Sequence, residues 1–240
     1  MKIALILPCY NESENLFRIK KELSELEHLT KDINLQLIIV NNGSTDNSKD
    51  ILESEDFLKS SIKSINVKNN IGYGHGIKEG ISKTSADIYA WAHGDLQTPL
   101  RDIVACLLFS LEKRHHIVAG KRLTSGLQKL QSKVFDLITS LCIGFKASDV
   151  NAQPKIFPLQ YRNFFISENS PNDFAMDIYY FKVFNDLNKD ILRNDVLFED
   201  RASGEAKGGQ GSLISRFILL IKMSNFALKI RKIKLGNHKT

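Results

Sequence analysis

Apolar and polar positions along the first half of the chain follow two alternating periods. Residues 3–8 form a short apolar run suited to a buried strand. Over residues 12–29 the spacing of Leu16, Ile19, Leu23 and Leu26 is helical, and Asn11 with Glu14 three positions on predicts an N-cap and its reciprocal partner. Residues 35–40 again read as strand. Asn41-Asn42-Gly43-Ser44-Thr45-Asp46 is turn and cap chemistry that opens a helix to about residue 57. A third strand over 62–67 precedes a helix over 74–83, and a fourth over 87–91 precedes one over 99–112. Residues 117–119 predict a fifth strand.

Repeated strand–helix units imply a parallel sheet with helices on both faces, and such sheets bind ligands beyond the carboxyl ends of their strands. The first four strands run out at Cys9-Tyr10-Asn11-Glu12, Asn41-Asn42-Gly43-Ser44, Asn69-Asn70-Ile71-Gly72 and His93-Gly94-Asp95. One rim is therefore expected to collect amides, a few carboxylates and glycine backbone. After about residue 121 the alternation weakens, which predicts a second half of different design. There is no internal repeat, low-complexity tract or interdomain linker.

Composition narrows the class. The 240 residues suit one large domain or a domain with a short appendage, and 42% hydrophobic residues against 25% charged exclude wholesale disorder. Cys9, Cys106 and Cys142 are odd in number and form no CxxC pair, which argues against a disulfide framework or zinc site and for a reducing compartment. The apolar run after Lys2 is too short for a signal peptide. No apolar span approaches the roughly 18 residues of a transmembrane helix, so a cytoplasmic location is expected.

The net charge of +6 is uneven. Residues 211–240 hold Arg216, Lys222, Lys229, Arg231, Lys232, Lys234 and Lys239, no Asp or Glu, and many apolar residues between them. Two readings stand: a basic amphipathic helix on a membrane surface, or a terminal helix packed on the domain with its basic face solvated. Nucleic-acid binding is not expected, because no aromatic–basic platform accompanies the charge.

The stretch "AWAHGDLQTP", residues 90–99, carries the densest chemistry. Asp95 and Gln97 could give two oxygen ligands to a hard cation, which takes one or two protein carboxylates and completes its shell with water and phosphate oxygens. Equally, Asp95 could cap the following helix. Gly72, Gly74, Gly76 and Gly80 do not have the GxGxxG spacing, and backbone freedom is their plainer use. In "RASGEAKGG", residues 201–209, Arg201 and Lys207 flank a glycine-containing turn that could close over phosphate or simply be solvated.

Together "ILPCYNESENL", "LIIVNNGSTDNS", "NNIGYGHGIKEGI", "GDLQTP", "DVNAQPKIFP" and "DRASGEAKGG" resemble, in order, the signatures of family-2 inverting glycosyltransferases, most nearly the polyprenyl-phosphate (dolichol-phosphate mannose synthase-like) group. The resemblance implies an α/β GT-A fold, a Rossmann-like three-layer sandwich around a mostly parallel sheet. Residues 1–210 would be the catalytic domain and 211–240 a basic apolar C-terminal helix or tail. It also implies that Pro8, Tyr10, Glu12, Asn42, Gly72, His93, Gly94 and Asp95 bind the nucleotide sugar, and that Asp95 and Gln97 hold Mg²⁺ or Mn²⁺. Asp95, Arg201 and Lys207 would carry catalysis; Asp149, Gln153, Lys155 and Arg201 would shape the acceptor pocket. Asn42 and His93 stand where the family usually has acids. An amide adds donors that a carboxylate lacks, and a neutral imidazole removes one negative charge beside the cation.

The implied reaction moves a sugar from a nucleotide-diphosphate sugar to a polyprenyl phosphate at the inner face of the membrane, where residues 211–234 would meet the lipid surface or a membrane-protein partner. A phosphate acceptor is already anionic and needs no base. A glycan hydroxyl acceptor, as in surface polysaccharide synthesis, needs a carboxylate, and Asp173 and Asp177 are candidates beside their reading as helix N-terminal charges. A non-catalytic nucleotide-sugar-binding relative is the third reading.

Overall fold

The computed structural model describes residues 1–58, 62–199, 213–233 and 235. Seven strands, β1 (Ile3–Cys9), β2 (Leu35–Asn42), β3 (Ile62–Val67), β4 (Ile88–Trp91), β5 (Val118–Arg122), β6 (Lys155–Pro158) and β7 (Leu192–Val196), form one sheet in the order β3-β2-β1-β4-β6-β5-β7. The helices are α1 (Ser13–Glu25), α2 (Glu27–Asp32), α3 (Ser48–Glu53), α4 (Glu55–Leu58), α5 (Tyr73–Ser82), α6 (Leu100–Glu112), α7 (Gly126–Ile143), α8 (Arg162–Ile166), α9 (Met176–Asp186) and α10 (Leu213–Arg231). β1, β2, β3 and β4 pair in parallel, with Ile3 opposite both Leu35 and Ile88. β6 runs antiparallel to β4 and β5, and β7 is parallel to β5.

Alternation along the strands builds two cores, one on each face. Ala4 and Ile6 of β1, with Ile38 and Val40 of β2, face a cluster closed by Ile77 and Ile81 of α5 and the aromatic residues of α8 and α9. Ile3, Leu5 and Leu7, with Leu37 and Ile39, face the other, closed by Leu16, Ile19 and Leu23 of α1 and Ile103, Val104 and Leu107 of α6. A strand buried on both faces reads as a continuous apolar run, the pattern of residues 3–8. The three-layer α/β sandwich is thus the expected one. Helix α10 seats Met223, Ala227 and Ile230 in the first of these cores, against α7 and α9, and Leu235 N donates to Asp186 Oδ2 (3.0 Å).

Three local expectations need correction. The helix expected over residues 12–29 breaks at Leu26 into α1 and α2, which lets Leu26, Leu29 and Ile33 all pack on the second core as the chain turns into β2. Asn11 is not the cap of α1. It adopts φ 53°, and its side chain accepts from Thr45 N (2.8 Å) and donates to Thr45 Oγ1 (3.1 Å), so a tertiary partner outcompetes the local one. Glu12 occupies the N-cap position without a side-chain cap bond. The fifth strand is longer than expected because β7 pairs with it through Arg122.

Gly80 permits the approach of α5 to the sheet. A Cβ there would stand 2.5 Å from Ile6 Cγ2 and 3.1 Å from Val40 Cγ2, both on stiff β-branched side chains of central strands. Overpacking costs about 1–3 kcal/mol, against about 1 kcal/mol gained by alanine in a helix. Gly80→Ala is therefore expected to lose up to about 2 kcal/mol in urea unfolding; a stability gain would contradict this packing.

Lys155 is fully buried in β6, its Nζ donating to Ala152 O and lying 5.6 Å from the Phe181 ring centre. Burial pulls its ammonium down from 10.5 to about 8, with Asp177 acting in the opposite sense. Between about pH 8 and 10.5 the unfolded chain holds more protons at this site than the folded one, so stability rises with pH across that window. Lys155→Met is expected to stabilise the protein by about 1–2 kcal/mol near pH 7, with a smaller gain near pH 10. Denaturant melts at the two pH values check this, and an equal gain at both would contradict it.

Candidate active site at the strand ends

Parallel pairing delivers the loops after β1, β2, β3 and β4 to one edge of the sheet, and side chains bind them to one another. Asn11 N donates to Ser44 Oγ (3.0 Å) and Ser13 N to Asp46 Oδ2 (3.3 Å), joining the first two loops. Asn41 Oδ1 accepts from Ser44 N (3.1 Å), while its Nδ2 reaches Asn66 Oδ1 on β3 (2.9 Å). Asn42 Nδ2 donates to Gly72 O (2.9 Å), tying β2 to the start of α5. A carboxylate could not make that donation, so the amide at residue 42 has a structural use in this chain. Its Oδ1 is buried and has no hydrogen-bond partner among the described residues.

Gly72 opens α5 at φ 137°, where a Cβ would also collide with Asn172 O, so only glycine fits. Tyr73 follows, stacked on Phe174 (5.0 Å between ring centres) and meeting His93 edge-on (4.9 Å). His93 Nε2 lies 3.4 Å from Gln153 Nε2, and Gln153 Nε2 also donates to Asp177 Oδ2 (2.9 Å). Asp177 takes a second bond from Trp91 Nε1 (3.1 Å). A buried carboxylate thus links the last residue of β4 to the chain entering β6, with His93 at the outer end of the network.

Asp95 is buried and its Oδ1 accepts from Gln97 N (3.2 Å), a turn that Leu96 completes at φ 53°. Its carboxylate lies close enough to two neighbours at the strand ends to act on them. The Cys9 thiol is pushed up by burial and then by Glu12, Asp95 and Asp46. Tyr73 is pushed up by burial and then by Asp177 and Asp95. Carboxylates from the loops after β1, β2 and β4 therefore act on the same small region. Gly94 packs its backbone against Cys9 Sγ, where no side chain would fit.

Gln97 is buried, its Nε2 donating to Glu199 O (3.2 Å) while its own carbonyl accepts from Glu199 N (2.8 Å). It joins Asp95 to the chain leaving β7. No cluster of three or more His, Cys, Asp or Glu occurs among the described residues. The donor chemistry at this edge is one carboxylate and one amide oxygen, with further negative charge nearby. That set fits a hard cation that keeps water and takes phosphate oxygens, as Mg²⁺ or Mn²⁺ does, and does not fit a closed all-protein cage.

The remaining expected residues divide. Pro8, Tyr10, Glu12, Asn42, Gly72, His93, Gly94, Asp95 and Gln97 lie along the one edge. Asp149 is occupied by Arg122, accepting from its backbone N (2.6 Å) and its Nε (2.7 Å). Gln153 stands beneath His93, whereas Lys155 is turned into the core. Asp173 accepts from Ala175 N (2.9 Å), a turn-forming bond, and Asp177 is engaged as described. Arg201 and Lys207 lie outside the described residues. Sequence reasoning passed over Tyr73, Phe174 and Glu199. The aromatic in "NNIGYGHG" was the available signal for Tyr73, and nothing local marks the other two.

Comparison with known proteins bears on the fold and the family. Undecaprenyl-phosphate 4-deoxy-4-formamido-L-arabinose transferase of Photorhabdus laumondii is 27% identical over 153 residues, 62% of this chain and 46% of that protein. The protein of the same description from Proteus mirabilis is 26% identical over the same shares. The chain thus spans about half the length of these relatives. Glucosyl-3-phosphoglycerate synthase from Mycobacterium tuberculosis, in complex with Mn²⁺, UDP and glucosyl-3-phosphoglycerate, superposes with a TM-score of 0.68 at 17% identity, covering 95% of this chain and 79% of that one. Its UDP complex gives 0.67 at 18%, covering 97% and 80%. These likenesses establish the GT-A fold. The model of glycosyl transferase family 2 matches residues 4–182, and the chain belongs to that family.

Proposed function

We propose that the chain moves a sugar from a nucleoside-diphosphate sugar to a polyprenyl phosphate with inversion at the anomeric carbon, working at the cytoplasmic face of a membrane. The observation that carries this reading is Asp95, a buried carboxylate at the edge where the loops after β1, β2 and β4 converge. Asp95 and Gln97 would hold a divalent cation, which when bound supplies positive charge for the departing diphosphate. Pro8, Tyr10, Glu12 and Asn42 line the end suited to the base and ribose. His93, Gly94 and the N-terminus of α5 at Gly72 flank the diphosphate. Arg201 and Lys207 complete the charge in this reading, closing over the donor and the acceptor phosphate.

The state of the candidate bases favours a phosphate acceptor. Asp177 is buried under Trp91 and Gln153, and Asp173 holds the turn into α9. Asp177, with both oxygens engaged, is not placed to take a proton from a glycan hydroxyl, and a polyprenyl phosphate needs none taken, since it presents an oxygen already charged near neutral pH. The relatives from Photorhabdus and Proteus are described as undecaprenyl-phosphate transferases, which agrees. No helix among the described residues is long and apolar enough to cross a membrane. In this reading the chain meets its lipid acceptor from the membrane surface, or beside a membrane protein.

The test supplies UDP-, GDP- and dTDP-sugars with polyprenyl phosphate and Mg²⁺ or Mn²⁺, and reads sugar-phosphate-lipid by mass spectrometry. One donor is expected to give product, and chelation of the cation to stop it. Asp95→Ala is expected to lower turnover at least about a hundredfold, with a loss of about 1 kcal/mol in stability from the acceptor taken from Gln97 N. Turnover unaffected by chelation and by Asp95→Ala would reject the proposal, and sugar appearing only on glycan hydroxyls would reject the acceptor.

A further inference from the structure

Helix α7 carries its apolar residues on the wrong side for a helix that only packs on a core. Leu130, Val134, Leu137 and Leu141 are 58%, 49%, 61% and 67% exposed. Their spacing of four, three and four places them in one stripe along the helix. The inward face is held by other residues: Thr139 and Ile143 are buried, and Phe135 and Cys142 pack on the core. The neighbouring α10 repeats the arrangement. Met223, Ala227 and Ile230 face inward, while Ile218, Ile221 and Leu228 remain exposed. The two helices pack against each other, and Arg231 Nη1 of α10 donates to Leu141 O near the end of α7 (3.3 Å).

Charge decides what such a surface fits. Lys129 and Lys133 flank the α7 stripe, and Lys222, Lys229 and Lys232 are exposed on α10 and just after it. The one acid in the two helices, Asp136, turns inward to accept from Asp149 N (2.8 Å). An exposed apolar stripe rimmed by lysine, with no outward acid, lacks the paired charges that register one protein surface on another. It suits a layer offering apolar depth beneath anionic headgroups, into which leucines sink while lysine stems reach back to the phosphates. We infer that α7 and α10 together form a platform that seats on an anionic lipid bilayer, with α7 the deeper element. The inference rests on the lipid-acceptor reading for its purpose and extends the surface from the C-terminal residues to a helix within the domain.

Co-sedimentation of the full chain with vesicles tests this, using vesicles of phosphatidylcholine alone and of equal parts phosphatidylcholine and phosphatidylglycerol. Neither preparation contains polyprenyl phosphate or nucleotide sugar. Binding to the anionic vesicles is expected, with little to the neutral ones. It should weaken at about 1 M salt, where the screening length falls to about 3 Å. Leu137→Glu with Leu141→Glu, both on exposed positions, is expected to lower partitioning about tenfold at an unchanged melting temperature. Lys222→Gln with Lys229→Gln and Lys232→Gln should remove most of the preference for anionic lipid. Undiminished binding by the leucine variant, or no vesicle binding by the parent chain, overturns the inference. Self-association in analytical ultracentrifugation that the leucine variant abolishes, without vesicle binding, would assign the surface to a second copy and also overturn it. Vesicle binding without sugar transfer would count against the proposed function alone, and transfer in detergent without vesicle binding against the platform alone.

Discussion

Parallel pairing of β3, β2, β1 and β4 is the constraint on which the site depends. Each strand enters from the same side, so each leaves its polar run-out at the same edge. The cross-bonds from Asn11, Asn41 and Asn42 then join the first three loops, and Tyr73 meets His93 of the fourth edge-on. Asp95 gains its meaning from that arrangement. On an isolated strand end it would be an ordinary turn-forming aspartate, and its bond from Gln97 N shows that it still serves as one. A carboxylate can accept a backbone N–H through one oxygen and retain capacity for further bonds, so the local role and the proposed one are compatible.

The two departures from the family's usual acids have different physical consequences. Asn42 is built into the fold, because its amide nitrogen holds the carbonyl of Gly72, which no carboxylate would do. His93 is set in an aromatic corner with Tyr73 and Phe174 and backed by Gln153. Both changes reduce negative charge along the edge proposed to receive a diphosphate. Fewer fixed anions mean weaker attraction for a cation and weaker repulsion of the ligand. Asp95, with Glu12 and Asp46 near it, is left as the principal carboxylate at the edge.

Much of this was legible because it is local. The first four strands and the loops that follow them appear in the sequence as apolar runs followed by Asn, Gly and Asp. Where a distant partner determines the outcome, the sequence misleads. Asn11 has the spacing of a cap and instead binds Thr45 in the loop after β2. Lys155 sits in a motif that resembles an acceptor segment, and folds inward over Phe181. Strands β6 and β7 are four and five residues long, and pairing with β4 and β5 makes them strands. The weakened alternation beyond residue 121 has its own cause: α7 turns Leu130, Val134, Leu137 and Leu141 to the outside, so its pattern does not report a core. Asp177 offers the residue type of a base, but only the tertiary structure shows that Trp91 and Gln153 already occupy it.

The central claim is that the Asp95 carboxylate holds the cation that meets the donor diphosphate. A crystal structure of the chain with Mn²⁺ and a nucleoside diphosphate tests it most directly. The account predicts an Asp95 oxygen bonded directly to the metal, with diphosphate oxygens on the same ion and the base toward Pro8, Tyr10 and Asn42. A cation bound away from Asp95, or a diphosphate lying outside the edge formed by the four strand ends, would contradict it.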